Sequence, residues 1–216
     1  MPAPVRPSRP STRDFIVEQA DRLFYERGYE HTSFADISAT VGISRGNFYH
    51  HFKTKDDILE AVIDRRMAGT KAMLHDWSES ASPRNRILSF IQMLSNNQVD
   101  IARYGCPVGS LCTELGKLEH PGALMANRVF ELFVDWLALQ FRQYGLTPAK
   151  ARRLAMQLMG RSQGIAVMAS TLKDTAFIRS EVRELTHWLD LQCPNATKGI
   201  TASQTAERNT RKEGIA

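Results

Sequence analysis

The sequence predicts an all-α fold of about nine helices, an N-terminal three-helix unit followed by a C-terminal helical bundle. Apolar residues recur at helical spacing through nearly every segment, and no stretch alternates as a half-buried strand would. Glycine and proline breaks divide the chain into runs of helical length. A chain of 216 residues makes one large domain or two small ones, and either buries a real core.

The elements follow in order. Thr12 opens a first helix that runs to about Arg27, with Ile16, Ala20, Leu23 and Phe24 on one face and Gly28 as its stop. A second, short helix places Phe34, Ile37 and Val41 on one face, and Gly42 supplies the left-handed backbone that a tight turn requires. Ser44 caps a third helix, anchored by Phe48 and Phe52 four residues apart. At 100° per residue, Gly46, Asn47, Tyr49 and His50 then point away from the anchors. Two helices around such a turn form a helix-turn-helix, whose second member enters the major groove of DNA. Thr54 caps a connecting helix over 54–77, striped by Ile58, Leu59, Val62 and Ile63. Further helices are expected at 84–103, 107–118, 121–144, 148–172 and 175–191. The units are a flexible arm at 1–10 with four prolines, the helix-turn-helix unit at 11–53, the connecting helix, a bundle over 78–192 and a disordered tail at 193–216.

Composition excludes several classes. No run of eighteen apolar residues exists, the first ten residues lack the apolar core of a signal peptide, and three cysteines do not make a disulfide framework. A cytoplasmic protein without cofactor, metal or membrane partner is expected, and no nucleophile–base or paired-carboxylate pattern marks an enzyme. The net charge of +5 does not by itself point to DNA, because residues 1–75 hold 11 Lys/Arg against 10 Asp/Glu. Affinity for phosphate must come from where the charges sit.

From about Thr12 to Asp64 the chain resembles the DNA-binding domain of the tetracycline-repressor (TetR) family of bacterial regulators. The matching residues are Ala20, Leu23, Phe24, Gly28, Tyr29, Thr32, Ser33, Ile37, Val41–Ser44, Gly46, Phe48, Tyr49, His51, Phe52, Lys55, Ile58 and Leu59, at fixed spacing. The resemblance implies base contacts from Arg45 and Asn47, since arginine pairs with guanine and asparagine with adenine. It implies phosphate contacts from Tyr49, His51 and Lys55, with His50 beside them. Thr32 and Ser33 offer hydroxyls and amides to phosphate, Ser44 caps the reading helix, and Gly46 allows close approach. Arg6, Arg9 and Arg13 suit an arm in the minor groove. Packing and capping are the competing roles for Tyr49, His51, Ser33 and Ser44.

The remainder resembles the family's effector-binding domain, and Gly105-Cys-Pro-Val-Gly109 is similar to a Gly-Cys-Pro-x-Gly segment of one broad subgroup. Cys106 precedes a helix, a position that favours thiolate; the alternative is that Cys106 and Cys112 are small buried hydrophobes. The resemblance implies a small-molecule effector, for which Phe90, Met93, Leu94, Cys106, Leu111, Phe133, Trp136, Met159 and Met168 are pocket candidates, with plain core as the competing role. Glu114, His120 and Arg128 are candidates to orient a polar group. A homodimer is expected through helices 148–172 and 175–191, along Ala155, Met159, Ser162, Ala166 and Ala169 of the first and Ile178, Val182, Leu185 and Leu189 of the second. Double-stranded DNA bearing an inverted-repeat operator is the implied partner. The competing reading is a helical ligand-binding or scaffold protein without DNA recognition.

Overall fold

The computed structural model describes residues 11–79 and 82–194. Ten helices are present among them: α1 (Thr12–Arg27), α2 (Phe34–Val41), α3 (Arg45–His51), α4 (Lys55–Ser78), α5 (Pro83–Asn96), α6 (Gln98–Tyr104), α7 (Pro107–Lys117), α8 (Ala123–Gln143), α9 (Pro148–Leu172) and α10 (Thr175–Gln192). No described residue lies in a strand. The one helix more than expected comes from a break in the 84–103 run. There Asn97 leaves helical geometry (φ −108°, ψ 17°) while its side-chain amide donates to Met93 O at 2.8 Å. Side-chain competition for backbone carbonyls is what disfavours asparagine inside helices.

Short-range chemistry sets the boundaries of the N-terminal helices. Ser11, one residue before the expected cap, forms a capping box with Asp14; Ser33 does so with Asp36 and Thr54 with Asp57. Gly42 ends α2 in the left-handed region (φ 70°), and Ser44 Oγ accepts the Asn47 amide at 3.3 Å to start α3.

Two cores share the molecule. The first gathers Ile16, Leu23, Phe24, Tyr29, Ile37, Phe48, Phe52, Ile58, Leu59 and Val62 with Leu111, Leu115 and Ala126 from α7 and α8. The second gathers Leu74 with α5, α6, α8, α9 and α10. α4 therefore begins in one core and ends in the other, and α7 completes the core of the N-terminal unit. Cys193 is buried in the second core and Tyr144 Oη donates to Pro194 O at 2.6 Å, so the disorder expected from residue 193 does not begin there. The expected arm at 1–10 and the rest of the tail lie outside the described residues. No described helix is long and apolar enough to cross a membrane.

The stripes expected to form the dimer surface are turned inward. Ala155, Met159, Ser162, Ala166, Ala169, Ile178, Val182, Leu185 and Leu189 are all buried within one subunit. Periodicity identifies an apolar face but not its partner, and here the partners are α5, α6 and α8. Besides Arg152, Arg153, Gln157 and Thr171, α9 leaves Met156, Gly160, Gly164, Val167, Met168 and Leu172 in solvent, with Val167 and Leu172 each 61% exposed.

The capping carboxylates make a pH prediction. Hydrogen bonds from Ser11 hold Asp14, and those from Ser33 hold Asp36, below the ordinary value of 3.8; the Thr54 and Lys53 amides do the same for Asp57. A carboxylate with a lowered folded-state pKa stabilises above its unfolded pKa, and the effect is lost as pH falls through the folded value. Acid titration followed by circular dichroism will therefore show helix loss beginning below about pH 4. Asp36→Asn will lower stability at pH 7 and flatten that acid limb; an unchanged limb would contradict the assignment.

Candidate nucleic-acid interface and internal cavity

α3 has seven residues and is fixed by its anchors. Phe48 is fully buried and meets Phe34 edge-on at 4.8 Å between ring centroids, and Phe52 is buried beside it. The opposite face is open: Gly46, Asn47 and His50 are exposed, and Tyr49 is 48% exposed with its ring 5.1 Å from Phe34. His51 is half-buried. Arg45 opens the helix, and its side chain lies outside the described residues. The motif thus presents donor- and acceptor-bearing side chains on an exposed helical face, an element that a major groove admits.

Two residues expected on this surface are placed elsewhere. Thr32 is 0% exposed, and its hydroxyl donates to Gly28 O at 2.7 Å, which removes it from any phosphate. Lys55 turns back over the Tyr29 ring, 4.0 Å from its centroid, and donates to Tyr29 O at 3.1 Å. Ser33 is exposed, but its hydroxyl closes the capping box with Asp36 at 2.5 Å. Lys53, not singled out from the sequence, is an exposed cation whose Nζ donates to Tyr49 O at 2.5 Å. Its place two residues after α3 was the available signal. Arg13 lies over the Phe52 ring at 4.9 Å, whereas Arg6 and Arg9 are outside the described residues.

A cleft of about 920 Å³ opens where α1 and α4 meet the C-terminal helices. Of the nine pocket candidates, Phe90, Met93, Leu94, Cys106, Phe133 and Met159 line it. Leu111 packs in the N-terminal core, Met168 is exposed, and Trp136 donates to Ser78 Oγ at 3.1 Å and lies against Trp77; these three are not in its wall. Sequence reasoning missed the wall contributed by α1 and α4, including Tyr25, Arg66, Gly69 and Met73. The signal was Ala68, Gly69 and Ala72, small residues on one stretch of α4 that leave space where a filled core would place large ones. At the mouth Arg66 is paired with Asp21 at 2.7 Å.

Glu114 and His120 do not face the cavity. Both lie at the junction with the N-terminal unit, and Arg128 is exposed. Glu114 accepts the Tyr29 and Glu30 amides, each at 2.9 Å. His120 Nδ1 accepts the Gly122 amide at 3.0 Å, and its Nε2 stands 3.3 Å from Tyr29 Oη, which donates to Asp56. Burial and that bond to Asp56 push the Tyr29 phenol pKa up, so it stays a donor.

The described residues are all helical or loop, with a helix-turn-helix whose second helix has an exposed face and a 920 Å³ cleft where α1 and α4 meet the C-terminal helices. Residues 16–62 match the family model for bacterial regulatory proteins of the tetR family, and residues 83–183 match that of the LmrA/YxaF-like transcriptional regulator C-terminal domain. The chain belongs to the TetR family. It is 26% identical over 129 residues to the HTH-type transcriptional repressor DhaR of a Mycobacterium species, a match covering 59% of this chain and 64% of DhaR, under two thirds of that relative's length. With the HTH-type regulator YxaF of Bacillus subtilis it shares 27% identity over 77% of this chain and 89% of YxaF. A TetR regulator structure from Legionella pneumophila superposes with a TM-score of 0.75 at 24% identity, covering 87% of this chain and all of that one, a likeness of fold.

Cysteine chemistry supplies a prediction. Burial pushes the Cys112 and Cys193 thiols up to about 11. Thiolate is the reacting species, so at pH 8 iodoacetamide will modify both roughly 100-fold more slowly than a free cysteine. Their rates will rise with pH toward 11; rates that level off by pH 9 would contradict the burial seen here.

Proposed function

We propose that the protein is a ligand-responsive, DNA-binding transcriptional repressor that acts as a homodimer on an inverted-repeat operator. The observation that carries this is the geometry of α3: buried Phe48 and Phe52 hold the helix while Asn47, Tyr49 and His50 stand in solvent. Arg45 and Asn47 are the base-reading residues, and Tyr49, His50, His51 and the amides around Ser33 and Ser44 meet phosphate. The name of DhaR, a repressor, supports repression as the outcome. The Gly105–Gly109 segment supports placing the chain in the subgroup that shares Gly-Cys-Pro-x-Gly.

The 920 Å³ cavity is the effector site. Its walls set Phe90, Met93, Leu94, Phe133 and Met159 beside charged Asp21, Arg66 and Asp100, and its size is that of drug-like ligand pockets. The dimer forms through α9 and α10, with the exposed Met156, Gly160, Gly164, Val167, Met168 and Leu172 at its centre; leaving so large an apolar stripe in water is unfavourable. Without effector, two copies of α3 occupy successive major-groove segments about 34 Å apart. α4 carries Lys55 at the DNA-reading end and Gly69, Thr70 and Met73 in the cavity wall. An effector that prefers a state with α4 displaced changes the distance between reading helices. It acts only through differential affinity, and a coupling of about 1–3 kcal/mol weakens operator binding ~5–150-fold.

Two substitutions separate base reading from phosphate contact. Asn47→Ala will relax preference at one base pair in each half-site by about 1–3 kcal/mol, whereas Tyr49→Ala will weaken all duplexes alike. Binding curves against an operator and its single-base variants measure both. An unchanged preference in Asn47→Ala would remove Asn47 from the base-reading set.

A further inference from the structure

We propose that the Gly105–Gly109 segment and α7 are a joint that transmits occupation of the cavity to the α1–α2 turn through Glu114, with Tyr25 and Arg66 as positioning residues. The biological meaning of the signal rests on the regulator reading; its path rests on geometry.

The segment touches both halves of the molecule within three residues. Cys106, Pro107 and Val108 form part of the cavity wall. The backbone carbonyls alongside them are held from the N-terminal unit: Tyr25 Oη of α1 donates to Gly105 O at 2.8 Å, and Arg66 Nη1 of α4 donates to Pro107 O at 2.5 Å. Arg66 is itself immobilised, with Nε and Nη2 on Asp21 Oδ1 at 2.8 and 2.7 Å and a side chain only 10% exposed. Whatever presses on Cys106 or Val108 therefore moves carbonyls to which α1 and α4 are tied.

α7 carries the displacement onward. Glu114 is two helical turns beyond Pro107, ~10 Å along a rigid element. Its carboxylate accepts two consecutive amides of the α1–α2 turn, Tyr29 N on Oε2 and Glu30 N on Oε1. Bonds to an ionised acceptor are among the stronger ones available. Gly28 makes room for this contact: it sits at φ 90°, ψ 158°, and a Cβ there would lie 2.9 Å from Glu114 Oε1. Tyr29 connects the turn to the start of α4 through Asp56 and Lys55, and Ser33, which caps α2, lies four residues on. A shift of α7 thus changes how the helix-turn-helix is seated.

Hydrogen exchange tests this with a defined occupant. In full-length protein carrying Cys112→Ala and Cys193→Ala, the Cys106 thiolate attacks benzyl methanethiosulfonate, forming a benzylthio mixed disulfide as methanesulfinate leaves; dithiothreitol removes it. The Tyr29 and Glu30 amides will exchange ~5-fold or more faster after attachment, and recover on removal. In Glu114→Gln these amides will already be fast and will respond by less than about twofold. If the double substitution does not fold, Val108→Trp in the parent chain fills the cavity from the same segment and must give the same acceleration. Unchanged exchange at both amides, with the benzyl adduct verified by mass or with Val108→Trp folded, overturns the joint. The measurement needs no DNA: accelerated amides with unaltered operator affinity support the joint and count against the regulator reading alone.

Discussion

Burial of Phe48 and Phe52 is the interaction on which the reading surface depends. A helix of seven residues, Arg45–His51, is far too short to persist in water on its own. Its direction and rotation are set by two aromatic side chains inserted among Ile37, Ile58 and Val62, with Phe34 stacked edge-on against Phe48. Once those rings are placed, 3.6-residue periodicity leaves Asn47, Tyr49 and His50 no orientation but outward. The left-handed Gly42 and the Ser44 cap bring the chain into the helix at the angle those rings require.

The same core explains why the two halves do not act as independent bodies. Leu111, Leu115 and Ala126 of the effector half fill the N-terminal core, and α4 supplies Ile58 to one core and Leu74 to the other. Close-packed interiors transmit displacement because they have little free volume to absorb it. The 920 Å³ cleft lies where α1, α4 and α7 meet the bundle, so a molecule placed in it would press on the elements packed beneath α3.

What was legible in the sequence was local. The Gly42 turn, the Ser33 and Ser44 caps and the outward set on α3 all follow from interactions within four residues, and the cavity candidates Phe90, Met93, Leu94 and Phe133 followed from their place on long apolar faces. Lys55 was misplaced because its partner is set by tertiary packing, Tyr29 being 26 residues away in the chain, and Thr32 because its burial is, although its hydroxyl bonds to Gly28 only four residues back. The stripes on α9 and α10 were read correctly as apolar faces, but packing inside one subunit claimed them. Leu111 was assigned to the cavity because nothing local shows that α7 serves the other core. The contact of Glu114 with the Tyr29 and Glu30 amides spans about 85 residues and leaves no periodic trace.

The most direct test of the central claim, that this chain reads a specific duplex through a pair of α3 helices, is selection from random duplex DNA with purified full-length protein, followed by titration of the winning sequence at two salt concentrations. The account predicts an enriched inverted repeat with half-sites about one helical turn apart, bound by a dimer, and an affinity that falls steeply with salt as phosphate counterions are released. A folded, dimeric protein, refolded to free it of any bound effector, that enriches no sequence would contradict the account.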